Sequence, residues 1–178
     1  MVVRTAEGQT VEDWGRLLSD LYESHAVRAL RFAYLLSGAR EVAEDLTQEA
    51  FLAAFDRLDT LRDPRALPGY LRTTILNLAR AHFRRQRIER LAIARHVRLA
   101  RPSQEQPPDV GERERLWHAL QRLPFRQRAA LVLRHYEDLS EKDTARALGT
   151  SVSGLKALAF RGTQALRAQL DTQEGSDE

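Results

Sequence analysis

The chain has 178 residues, 43% hydrophobic and 30% charged, enough for one large domain or two small ones with a modest core in each. It contains no cysteine, which excludes disulfides, thiol catalysis and thiolate metal sites within it. No apolar run approaches the ~20 residues that cross a bilayer, and the opening MVVRTAEGQT lacks the apolar stretch of a signal peptide, so a cytoplasmic location is expected.

Residues 1–10 are polar. From Val11 the pattern turns helical, with Trp14, Leu17, Leu18, Leu21 and Tyr22 on one stripe. Asp20 to Ser24 is polar enough to predict a break. A second helix then runs through Val27, Leu30, Ala33 and Leu36 to a stop at Ser37-Gly38. The third begins near Glu41, with Glu41, Glu44 and Asp45 at its favourable N-terminal end. It turns Val42, Leu46, Ala50 and Ala53 to one side, with Phe51, Phe55 and Leu58 close by. Asp45, Gln48 and Glu49, at i, i+3 and i+4, form an acidic and polar strip that serves either solubility or a docked partner. Asp56 to Pro68 holds two prolines and three aspartates and is expected to be a loop.

The next segment, YLRTTILNLARAHFRRQRIER from Tyr70 to Arg90, carries the strongest charge signal. Between Arg62 and Arg101 there are eleven arginines against two acids, Asp63 and Glu89, although the net charge of the chain is only +3. Leu71, Ile75, Leu78, Ala79 and Phe83 form the stripe that faces a core. Arg72, Arg80, Arg84, Arg85 and Arg87 leave the helix elsewhere, with Asn77 and His82 among them and the rings of Tyr70 and Phe83 nearby. A cationic helix with aromatic rings suits a charged polymer with stackable bases, while a solvated face of an arginine-rich protein accounts for the same residues.

The apolar pattern fades from Leu91, and Ala100 to Glu112 has three prolines, a glycine and polar residues, the composition of a flexible linker. Beyond it, Leu116, Trp117, Leu120 and Leu123 predict a helix ending at Pro124, and a further helix spans about Arg126 to Tyr136. Ser140 and Asp143 loosely fit a capping box for a helix ending at Gly149. Ser151 suits the N-cap of a last helix with Leu155, Leu158, Ala159 and Leu166 inward. Ala145, Gly149 and Leu155 have the spacing of a helix-turn-helix, whose second helix presents Thr150, Ser151, Val152, Ser153, Lys156, Phe160 and Arg161. No strand pattern and no repeat occurs. The expected fold is all-α, with small helical domains over 11–98 and 113–170 joined by a flexible linker over 99–112. The five histidines lack metal-ligand spacing, and no nucleophile stands beside a base, so neither enzyme nor cofactor is expected.

Taken together, these segments resemble a bacterial RNA polymerase sigma factor of the extracytoplasmic-function group. AEDLTQEAFLAAF is similar to the family's polymerase-docking helix, YLRTTILNLARAHFRR to its −10 segment, and LPFRQRAALVLRHYEDLS to its −35 domain. The resemblance implies a region 2 domain and a region 4 domain, acting with core RNA polymerase, through its β′ clamp coiled coil and β subunit, on promoter DNA. It also implies regulation by an anti-sigma factor. Docking would fall to Asp45, Gln48, Glu49 and Phe51. The −10 role would fall to Tyr70, Arg72, Asn77, Arg80, Arg84 and Arg85, with the 59–68 loop as a pocket for a flipped base. The −35 role would fall to Ser151, Ser153, Lys156 and Arg161. Phe55 and Tyr70 stand where the family has tryptophan. Gly154, Ala157, Leu158 and Phe160 replace its threonine, serine, arginine and histidine, so weak −35 reading is expected. Alternatives are a stand-alone helix-turn-helix regulator or a sigma-like polymerase accessory protein.

Overall fold

The computed structural model describes residues 11–57, 66–96 and 111–174, and every regular element among them is an α-helix. Three helices form an N-terminal body: α1 (Val11–Ser37), α2 (Arg40–Phe55) and α3 (Leu67–His96). Four form a C-terminal body: α4 (Glu112–Arg122), α5 (Phe125–His135), α6 (Glu141–Leu148) and α7 (Val152–Glu174).

The break predicted at Asp20–Ser24 does not occur, and α1 runs through it. The Ser24 hydroxyl donates to the carbonyl of Asp20 at 2.6 Å, so its polar group is satisfied inside the helix. The side chains of Trp14, Leu17 and Leu18 lie outside the described residues. The predicted stop is real: Gly38 adopts φ +78, and its N–H returns to the Tyr34 carbonyl at 2.8 Å. α3 starts at Leu67, earlier than its charge pattern shows, because Pro68 fits the first turn of a helix, where no N–H is needed. Phe32, Leu36, Ile75 and Leu76 are fully buried between α1, α2 and α3.

In the C-terminal body, Leu133 and Leu155 are buried where α5, α6 and α7 meet. Leu116 is 49% exposed, contrary to its predicted inward position, and Ala119 lies inside instead. The Ser140 hydroxyl oxygen accepts from the Asp143 N–H at 3.1 Å and donates to the Asp143 carboxylate at 2.6 Å. The short acid therefore bonds the capping hydroxyl itself. Gly149 is left-handed, at φ 59 and ψ 48, and sets the turn between α6 and α7.

The two bodies share one continuous core. Tyr34 stacks on Trp117 with ring centroids 5.5 Å apart, and Phe83 meets Phe125 at 5.1 Å. The Gln121 amide donates to the Leu35 carbonyl at 3.1 Å. Most of the predicted linker, residues 99–110, lies outside the described residues.

Candidate nucleic-acid interface

Helix α3 sorts its polar residues onto two sides. A helix advances 100° per residue, so Arg72, Arg80 and Phe83 share one sector and Asn77 and Arg84 the next. The first sector faces the C-terminal body. Arg72 Nε donates to Glu137 Oε2 at 2.9 Å, and Arg28 of α1 reaches the same carboxylate at 3.4 Å. Arg80 Nη2 donates to the Ala147 carbonyl at 3.1 Å. Asn77, Arg84 and Arg85 are exposed, and among the described residues Arg84 and Arg85 have no ion-pair partner. Tyr70 is half-buried and donates its hydroxyl to the Ala53 carbonyl at 3.2 Å, tying the start of α3 to α2. The six residues picked from sequence on this helix thus divide into three open to solvent, two held by the other body and one bonded to α2. Residues 59–65 of the predicted base pocket lie outside the described residues.

The acidic strip on α2 is real. Asp45, Gln48 and Glu49 are exposed, whereas Phe51 is only 2% exposed and packs its ring on Tyr22 at 4.9 Å and Phe55 at 5.7 Å. Phe51 therefore shapes the floor of a groove of about 590 Å³ between α1 and α2. Gln48 and Leu52 line it from α2, and Tyr22 and Val27 line it from α1. Val27 and Leu52 are large apolar residues left in water, the usual mark of a surface that takes a partner. The α1 side of this groove was not evident from periodicity.

In the helix-turn-helix, the recognition residues engage one another. Ser151 Oγ accepts from the Gly154 N–H at 3.0 Å, confirming its capping position, and lies 3.0 Å from Ser153 Oγ. Lys156 Nζ is 3.4 Å from Glu141 Oε2, an exposed pair of little energetic weight. Arg161 and Phe160 are exposed.

Three residues at the seam between the bodies were not anticipated. Glu137 is 5% exposed at its side chain and receives both Arg72 and Arg28. Its partner in α3 is 65 positions away, so no local pattern announces it. Arg128 is buried, donates to the carbonyl and amide oxygens of Gln121, and lies 4.8 Å over the Phe83 ring. Burial holds its guanidinium down to about 10. Burial, and then the Glu137 carboxylate, raises the Tyr136 phenol above its ordinary value, against the lowering pull of Arg31 and Arg28.

Comparison with known proteins covers both bodies. Residues 21–88 match the family described as Sigma-70 region 2, and residues 113–166 match Sigma-70, region 4. The chain is 31% identical over 149 residues to the RNA polymerase sigma-E factor of Streptomyces coelicolor, covering 81% of this chain and 83% of that one. It is 34% identical over 148 residues to the ECF RNA polymerase sigma factor EcfG of Rhodopseudomonas palustris, covering 82% and 81%. Among solved structures it is similar to CnrH in complex with the cytosolic domain of CnrY, with a TM-score of 0.59 and 26% identity over 89% of this chain and 90% of that one. It shares the fold of the sigma factor RpoE of Bartonella quintana, solved with the anti-sigma factor NepR, with a TM-score of 0.64 and 24% identity over 90% and 98%.

Proposed function

Because this chain belongs to the sigma-70 family, in its extracytoplasmic-function group, and directs promoter-specific transcription as an alternative sigma factor, we propose a division of labour between its two bodies. The first, over 11–98, docks on core polymerase and opens the −10 element; the second, over 113–170, anchors at the −35 element. The single observation that carries the −10 assignment is the group of Asn77, Arg84 and Arg85, exposed on α3, with Arg84 and Arg85 having no ion-pair partner among the described residues. Arginines on phosphates hold the register there, and Asn77 and the 59–68 loop choose the base. Unstacking a base costs a few kcal/mol, and stacking or pocket contacts return on the order of 1–3 kcal/mol per base. Opening is thus favourable only where the sequence offers a base that fits.

Docking is assigned to Gln48, which lines the groove, and to Asp45 and Glu49, exposed on the same helix, with Phe51 supporting the groove floor. The apolar rim made by Val27 and Leu52 suits the side of a partner helix. That CnrH is found in complex with the cytosolic domain of CnrY supports a protein partner for this chain. An anti-sigma factor that covers the polymerase-facing surfaces is the expected regulator. A stand-alone DNA-binding regulator leaves the region 2 match over 21–88 without a task.

The test is holoenzyme reconstitution. Arg84→Glu with Arg85→Glu is expected to abolish promoter opening in a permanganate footprint while leaving core binding intact. Asp45→Arg with Glu49→Arg is expected to weaken co-purification with core enzyme. Normal footprints from the first pair would remove the −10 assignment, and unchanged co-purification of the second would remove the docking assignment.

A further inference from the structure

The region 2 match ends at residue 88, yet α3 continues to His96. From Arg84 to Leu91 every residue except Gln86 is exposed. This stretch, RRQRIERL, holds four arginines and a single acid, Glu89. None of the four arginines has an ion-pair partner among the described residues. In their midst stand two large apolar side chains left in water, Ile88 at 61% exposure and Leu91 at 55%. A surface of that kind suits a partner that brings both negative charge and an apolar contact.

The helical register decides which face this is. At 100° per residue, Asn77, Arg84, Ile88 and Leu91 fall within about 60° of one another. Arg85 and Arg87 flank that line on its two sides, and Glu89 lies about 130° from its centre. The apolar pair therefore continues the line already assigned to the −10 element. From Asn77 to Leu91 the helix rises about 21 Å, the length of about six base-pair steps at ~3.4 Å each. The chain leaves this end of α3 for the body assigned to the −35 element, so the line runs upstream from the base that Asn77 meets. Duplex DNA there offers phosphates to the flanking arginines, and the apolar feature of its major groove is the C5-methyl of thymine.

We propose that Ile88 and Leu91 read thymine methyl groups in the duplex just upstream of the −10 element, while Arg85 and Arg87 hold the phosphates on either side. The proposal rests on the reading of α3 as the −10 helix. It gives the end of α3 a selective part of its own, exercised on paired bases rather than on an exposed one. A protein partner would have to answer four cations with acids of its own, whereas DNA supplies the charge and the methyl groups together.

The test uses reconstituted holoenzyme and two promoter fragments that differ only in the about six base pairs upstream of the −10 element. One fragment carries alternating A·T and T·A pairs there, which puts thymine on both strands. The other carries uracil for each of those thymines, which removes the methyl groups and keeps the pairing. The unsubstituted protein is expected to bind the thymine fragment about 4-fold tighter if one methyl is buried and about 16-fold tighter if two are, at ~0.8 kcal/mol for each methyl-sized group. Ile88→Ala with Leu91→Ala shortens both side chains and suits a helix. In that variant the ratio is expected to fall to about one, with co-purification with core polymerase unchanged. Arg87→Gln is expected to keep the ratio and to lower the slope of log affinity against log salt by roughly 0.9. A ratio near one in the unsubstituted protein, or the same ratio in the alanine variant, overturns the methyl reading, and an unchanged slope overturns the phosphate contact. Loss of core co-purification by the alanine variant also overturns the proposal, by giving the face to a protein. The permanganate footprint keeps the two readings apart. If Arg84→Glu with Arg85→Glu loses its footprint while the thymine ratio stays near one, this inference fails and the −10 assignment stands.

Discussion

Arg84 and Arg85 offer the most direct quantitative test of how this protein meets its promoter. Both are exposed on α3 and have no ion-pair partner among the described residues. Glutamine at both positions therefore removes two charges with little effect on folding, within about 0.5 kcal/mol. If each arginine neutralises one phosphate, the slope of log affinity against log salt falls by roughly 1.4 for single strands to 1.8 for duplex. Between 50 and 200 mM salt, a four-fold range, the loss of affinity in the unsubstituted holoenzyme should exceed that of the variant by about 7- to 12-fold. Fluorescence anisotropy with a labelled promoter fragment, titrated with reconstituted holoenzyme at several salt concentrations, measures both slopes. Arg72→Gln is the instructive contrast. Its guanidinium is bound to Glu137 at 2.9 Å, so its loss perturbs the seam as well as the charge. A salt slope unchanged by the double substitution would refute phosphate contact by these two residues, whatever happened to affinity at one salt concentration.

Two further substitutions test the scaffold. Gly149→Ala is expected to destabilise the protein by about 1–2 kcal/mol in urea unfolding, through the left-handed backbone alone. Nothing lies within 4 Å of the position its Cβ would take, and Gly149→Asn should cost less. An unaltered midpoint for Gly149→Ala would show that the turn relaxes. Arg128→Met is expected to keep or raise the thermal midpoint, because a guanidinium lowered by burial to about 10 opposes folding by on the order of 3 kcal/mol. The sign follows from the lowered value: the penalty is fully present at neutral pH and fades only as pH rises above about 10. A fall of several degrees in Arg128→Met would mean that the bonds to Gln121 and the contact with Phe83 outweigh the burial cost.

Periodicity disclosed most of the helices because each hides one apolar stripe, and it placed Ile75 and Ala79 inside correctly. It failed at Ser24, whose hydroxyl bonds within the helix, and at Pro68, which begins a helix it was expected to precede. Both residues act by position, and composition alone does not give position. Phe83 shows a different limit. It was assigned both to a core stripe and to the basic surface, and the structure gives it to neither alone: it packs on Phe125 and covers Arg128 in the other body. The charged strip on α3 was legible as charge, but its division into an open and a covered sector depends on Glu137 and Ala147. Those residues lie 65 and 67 positions from the arginines they hold, and nothing local links them.

The same logic of occupied donors bears on how the two bodies share specificity. Ser151 spends its oxygen on the Gly154 N–H and sits against Ser153, while Lys156 leans on Glu141. Gly154, Ala157 and Leu158 lack polar side-chain groups to read base edges, and Phe160 offers only an apolar ring. The pair of Lys156 with Glu141 is exposed and breaks readily for a phosphate, and Arg161 is open to solvent. Such a helix is better equipped to hold the DNA backbone than to select its sequence. An anchor of that kind still raises the effective concentration of the tethered −10 helix. Under the proposed division of labour, selection then falls mainly on the step that exposes a base, the step assigned to Asn77 and the arginines of α3, and the C-terminal body contributes mostly affinity and placement.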